Sequence, residues 1–112
     1  MTYNYEMIVC VVNSGFSDAV MSAAREYGAK GGTVLNARGT ANQEAETFFG
    51  ISIQPEKEVV LILVPAKIKD DILHAIYQKV GLATPGQGIA FTLPVENAVG
   101  LPTLAEEKKG EE

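Results

Sequence analysis

The order strand, helix, strand, met twice between residues 5 and 101, predicts an α+β domain of the ferredoxin-like kind: a (βαβ)2 sandwich with an antiparallel sheet and both helices on one face. Three observations support this. The runs Tyr5 to Val12 and Glu58 to Val64 are almost continuously apolar, as central strands are. Two stretches repeat their apolar residues with helical spacing. Gly, Asn or Pro punctuates nearly every junction between these runs.

The first strand, YEMIVCVV, is broken by Asn13, Ser14 and Gly15. Ser17 and Asp18 then offer a hydroxyl and a negative charge to the free amides of a helix start. Val20, Ala23, Ala24 and Tyr27 fall at i, i+3, i+4 and i+7, so a helix is expected over 17–27, with Gly28 turning the chain after it. A second strand is expected over Thr33 to Ala37, and a third over Glu58 to Val64, stopped by Pro65. Ile68, Ile72, Ala75, Ile76 and Val80 mark a second helix ended by Gly81. The loop LATPGQG leads to a fourth strand, Ile89 to Leu93, which Pro94 must end or confine to a sheet edge, because proline has no amide to donate. Val95 to Leu101 is read as a turn with a possible further strand. Residues 102–112, PTLAEEKKGEE, are expected to form a charged, disordered tail beyond a single domain of residues 1–101.

Residues 38–58 fit neither period. A connection longer than about 12 to 15 residues inside a compact domain is usually functional or disordered, so this loop is taken as the working part of the chain. It is expected to be mobile without a ligand. The apolar strands have only two helices to cover them, so the uncovered sheet face predicts self-association.

With 14 acidic and 9 basic side chains the net charge is -5, which excludes a broad nucleic-acid footprint. The single cysteine, Cys10, lies in an apolar run and is read as a small buried hydrophobe in a reducing compartment. No apolar run approaches the roughly 18 residues of a membrane span, and MTYNYE lacks the pattern of a secretory leader, so the expected location is the cytoplasm. His74 with Asp70 at i-4 lacks the further ligands of a metal site. Glu44, Glu46, Glu56 and Glu58 are read as a solvated loop face, and no catalytic constellation is visible, so no enzyme is expected.

GGTV at 31–34, a strand, a long loop, VVLILVP at 59–65, a helix, TPGQG at 84–88 and then IAFTLPVENAV resemble, in this order and spacing, the PII nitrogen-signalling proteins over residues 5–101. The resemblance implies a homotrimer with its sheets facing inward. It implies a small effector, an adenine nucleotide, in each cleft between neighbours, with no cofactor required. It also implies a T-loop, here about residues 39–57, that engages a target protein such as an enzyme, transporter or channel in nitrogen or carbon metabolism. Thr33 matches the strand threonine near the adenine, while Gly39 and Gln43 match the T-loop base. Gly86, Gln87 and Gly88 match the phosphate-facing B-loop, where bare backbone can approach an anion. Lys57 matches the lysine after the T-loop when counted back from Pro65; counting forward from Pro55 puts Glu56 there. Arg38 is a further candidate cation, and Thr47, Phe48 and Phe49 are candidate partner contacts.

The chain also departs from the pattern. Ile89 stands where members carry a lysine, Asn42 where they carry a T-loop arginine, and Gly100 and Pro102 where they carry two C-loop arginines. With those cations gone, AMP or ADP is expected as effector rather than ATP. The loop also offers no tyrosine between Arg38 and Glu58 for covalent modification. A trimeric divalent-metal tolerance protein of the CutA kind is the alternative reading, and it is disfavoured by the scarcity of His and Cys.

Overall fold

The computed structural model describes the backbone at residues 4–40, 47–48, 51–52 and 55–101, and side chains at 4–40 and 55–101. Its elements are β1 (Tyr5–Asn13), α1 (Ser17–Glu26), β2 (Thr33–Arg38), β3 (Thr47–Phe48), β4 (Ile51–Ser52), β5 (Glu56–Pro65), α2 (Lys69–Val80) and β6 (Ile89–Val95). The main sheet has the order β2-β5-β1-β6 with every pair antiparallel, so the two most apolar runs take the central places. This is the ferredoxin-like arrangement that the sequence predicts. β6 pairs only with β1, and Pro94 is accommodated because its strand is an edge. No further strand follows Val95 among the described residues.

Alternation along the strands sorts side chains between two faces. Ile8, Cys10 and Val12 of β1 and Val60, Ile62 and Val64 of β5 are fully buried, and they form one cluster with Val20, Ala23 and Ala24 of α1 and Ile72, Ile76 and Val80 of α2. That cluster is the core. In α1 the expected stripe shifts by one position: Met21 joins the core, while Tyr27, which caps the helix end, is exposed. Gly28 then turns the chain at φ +108, as expected of the residue after a helix.

The opposite parity lines the other face. Met7, Val9 and Val11 of β1, Leu35 of β2, Val59, Leu61 and Leu63 of β5, and Ile89, Phe91 and Leu93 of β6 share it by register. Neither described helix covers these residues. Leu35, Leu63, Ile89, Phe91 and Leu93 are each 42% to 50% exposed. Exposed apolar side chains that share one sheet face mark it as a surface for contact with another chain.

Burial pushes the Cys10 thiol up to about 11, which leaves it inert as a nucleophile at neutral pH. No described helix is long and apolar enough to cross a membrane.

Candidate functional site

The chemistry gathers where β1, β5 and β2 reach the base of the long segment. Asn13 faces Lys57 across β1 and β5, Lys57 faces Ala37 across β5 and β2, and Arg38 faces Glu56. Backbone bonds fix this end: Gly39 N–H donates to Pro55 O at 2.8 Å, and Ser14 N–H donates to Glu56 O at 3.2 Å. A Cβ on Gly39 would stand 3.0 Å from Lys57 Cε, so the glycine leaves room for that side chain. Lys57 Nζ donates to Asn13 Oδ1 at 2.6 Å, and Asn13 Nδ2 donates to Pro85 O at 2.9 Å.

Ser14, Asn36, Ala37, Arg38, Glu56 and Lys57 line an open cavity of about 400 Å³. Two cations and one carboxylate border it. Among the described residues, ion pairs join Lys69 to Glu6 and Asp70 but involve neither Arg38 nor Lys57. The cavity therefore suits a small anion.

Glu58 does not belong to a solvated loop face. It points from β5 to the start of α1, where its Oε1 accepts from Gly15 N–H at 2.9 Å and from Ser17 N–H at 3.2 Å. Ser17, expected as the cap, is instead the first helical residue, and Phe16 in the cap position makes no side-chain cap bond. The bond from the Gly15 amide holds the Glu58 carboxyl below its ordinary value of 4.5, with partial burial opposing it and the Ser17 bonds adding to it. A carboxylate whose folded value is lowered stabilises the fold above its unfolded value and loses that contribution as pH falls through the folded one. Glu58→Gln is accordingly expected to lower stability by about 0.5 to 1 kcal/mol at pH 7, allowing for partial solvent screening. The deficit should shrink in urea unfolding as pH falls below the ordinary value of 4.5 and vanish once pH lies below the lowered folded value as well; a deficit of constant size from pH 7 down to that range would contradict this.

The turn at 84–88 is packed into the domain. Asn13 N–H donates to Gly86 O at 2.9 Å, Gln87 N–H to Thr84 O at 3.0 Å, and Gly88 N–H to Val80 O at 2.6 Å. Two of the three amides expected to face a phosphate are thus already engaged. Gln87 adopts φ 45, and Gly88 lies where a Cβ would be 2.6 Å from Val80 O. Close packing accounts for that glycine.

Thr33 lies at the far end of β2, about 16 Å from Arg38 at about 3.3 Å per residue. It borders a separate, mainly apolar cavity of about 530 Å³ with Tyr5, Lys30, Leu61, Leu63 and Leu101. Within one chain the predicted residues therefore form two groups: Arg38, Gly39 and Lys57, with Gly86, Gln87 and Gly88 joined to them through Asn13, and Thr33 apart. Gln43 and Phe49 lie outside the described residues. Thr47 and Phe48 form β3, paired with Ser52 and Ile51 of β4, a short hairpin inside the segment expected to be a plain loop. Their side chains lie outside the description. Ile89 opens β6 on the uncovered face, opposite Val11. His74 is exposed on α2, and no group of three or more His, Cys, Asp or Glu that could hold a metal occurs among the described residues. Asn13 was missed as a site residue, because in sequence Asn-Ser-Gly reads only as a strand breaker.

A family model described as "Nitrogen regulatory protein P-II" matches residues 5–103. No curated protein matches the chain. Similar solved structures include the crystal structure of Arabidopsis thaliana PII bound to citrate, at 21% identity and TM-score 0.64 over 84% of this chain and 77% of that one. They also include the B. subtilis GlnK-ATP complex, at 16% identity and TM-score 0.68 over 88% of this chain and 89% of that one. At these identities the structural likeness establishes the shared fold.

Proposed function

Because the chain belongs to the nitrogen regulatory protein P-II family, we propose that it is a signalling protein and not an enzyme. In this reading it binds a small anionic effector in clefts between the subunits of a homotrimer and passes that state to a target protein through residues 39–57. The target is an enzyme, transporter or channel of nitrogen or carbon metabolism, and the setting is the cytoplasm. Thr47, Phe48 and Phe49 are the proposed target contacts. The apolar sheet face supplies the surface for assembly. Thr33 and the Arg38–Lys57 group, apart within one chain, would meet across a cleft from two neighbouring subunits.

The observation that carries the reading is the cavity at the root of the long segment, where Arg38 and Lys57 have no described ion partner. Their two charges are offset in part by Glu56, and the Gln87 and Gly88 amides are already bonded. Such a site holds one or two phosphates better than three, which favours AMP or ADP over ATP. Calorimetric titration with AMP, ADP and ATP, with and without magnesium, tests this. AMP or ADP is expected to bind at least as tightly as ATP. Lys57→Met is expected to weaken binding about tenfold, or about 1.4 kcal/mol. ATP binding tenfold tighter than both other nucleotides would overturn the preference.

A further inference from the structure

We propose that Asn13 is a relay that couples the state of Lys57 to the turn at residues 84–88. Its side chain joins two parts of the chain that are otherwise separate: Oδ1 accepts from Lys57 Nζ at 2.6 Å, while Nδ2 donates to Pro85 O at 2.9 Å. The backbone beneath it is fixed, since Asn13 pairs with Lys57 in the sheet and its N–H donates to Gly86 O at 2.9 Å. Only the side-chain amide is free to respond. Asparagine suits this place because it offers an acceptor on one side and a donor on the other at once. Aspartate would keep the acceptor for Lys57 but repel the Pro85 carbonyl, and alanine would serve neither.

The inference rests on the reading that an anionic effector engages Lys57. An anion that draws the ammonium away removes the charge-assisted partner of Oδ1. Hydrogen bonds in series polarise one another, so the bond from Nδ2 to Pro85 O weakens at the same time. The loop root and the turn then change together, although neither the cavity nor its lining includes the turn.

Amide exchange at Gln87 and Gly88 in the full-length protein reads the coupling, because both amides are bonded within the turn. In the ligand-free protein, Lys57→Met should speed exchange there about threefold or more, and Asn13→Ala should do the same. The double variant should be no faster than Asn13→Ala alone, and the α2 amides of Ile72 and Ile76 should not change in any of them. Asn13→Asp should free the turn as Asn13→Ala does. At concentrations of AMP or ADP that saturate each protein, exchange at Gln87 and Gly88 should change in the wild type and stay constant in Asn13→Ala.

Additive effects of the two substitutions, faster exchange throughout α2, or a nucleotide response that persists in Asn13→Ala would each overturn the relay. If Asn13→Ala does not fold, Lys57→Met alone decides, and unchanged turn amides in it would overturn the proposal. If neither nucleotide binds the wild type, the effector reading falls, and the ligand-free comparison still decides the relay by itself.

Discussion

Phe91→Glu is expected to convert the assembled protein into a monomer of 11.9 kDa without unfolding it. Phe91 lies on the sheet face that neither helix covers, opposite Val9, which in turn faces Leu61 on β5, so it belongs to an apolar row across β6, β1 and β5. In a single chain it is already 46% exposed, and a glutamate there meets water at little cost to the core. In the proposed assembly the same position would be covered. The change forfeits about 1.5 to 3 kcal/mol of apolar burial in each subunit, and an unpaired carboxylate held away from water costs several kcal/mol more. At about 1.4 kcal/mol per tenfold, the association constant should fall by several orders of magnitude. Light scattering at micromolar concentration checks this. A wild type with the mass of one chain would remove the premise, and a variant that stays trimeric would place the interface elsewhere.

Gly88→Ala is expected to lower stability strongly although it adds only one methyl group. The new Cβ would stand 2.6 Å from Val80 O and 2.8 Å from Val12 Cγ1. Val12 and Val80 are fully buried in the core, so neither can withdraw. The turn must move instead, and it then loses the bond from Gly88 N–H to Val80 O. Overpacking of this kind costs about 1 to 3 kcal/mol, and the lost bond adds about 1. A melting temperature lower by about 10 to 20 °C follows for a domain of this size, compared at one protein concentration. Gly31→Ala is the control, since nothing lies within 4 Å of a Cβ there, and it should change little. Equal melting of the two variants would contradict the packing role of Gly88.

Much of this architecture is legible in the sequence because burial writes itself into local pattern. The apolar runs of β1 and β5 mark the two central strands, and the spacing of Ile72, Ile76 and Val80 marks the buried side of α2. Long-range contacts leave no such mark. Glu58 caps a helix 41 residues earlier in the chain, and Asn13 meets Pro85 across 72 residues, so each looked like an ordinary loop residue. The Met21 and Tyr27 exchange in α1 has a similar cause: both fit an apolar stripe, and only the position of the sheet decides which is covered. The two-residue strands β3 and β4 are too short to show a period of two. For the B-loop-like turn, the family resemblance marks the glycines, whereas the direction of the Gln87 and Gly88 amides depends on Thr84 and Val80.

The central claim is that subunits must assemble to complete a site for a low-charge anion, and calorimetric titration of ADP into the wild type and into Phe91→Glu tests it most directly. Within one chain Phe91 borders neither the cavity of Arg38 and Lys57 nor that of Thr33, so the substitution leaves the lining of both unchanged. The account predicts one ADP per subunit in the wild type and binding at least tenfold weaker in the monomeric variant. Equal affinity in the monomer, or no binding by the assembled wild type, would contradict it.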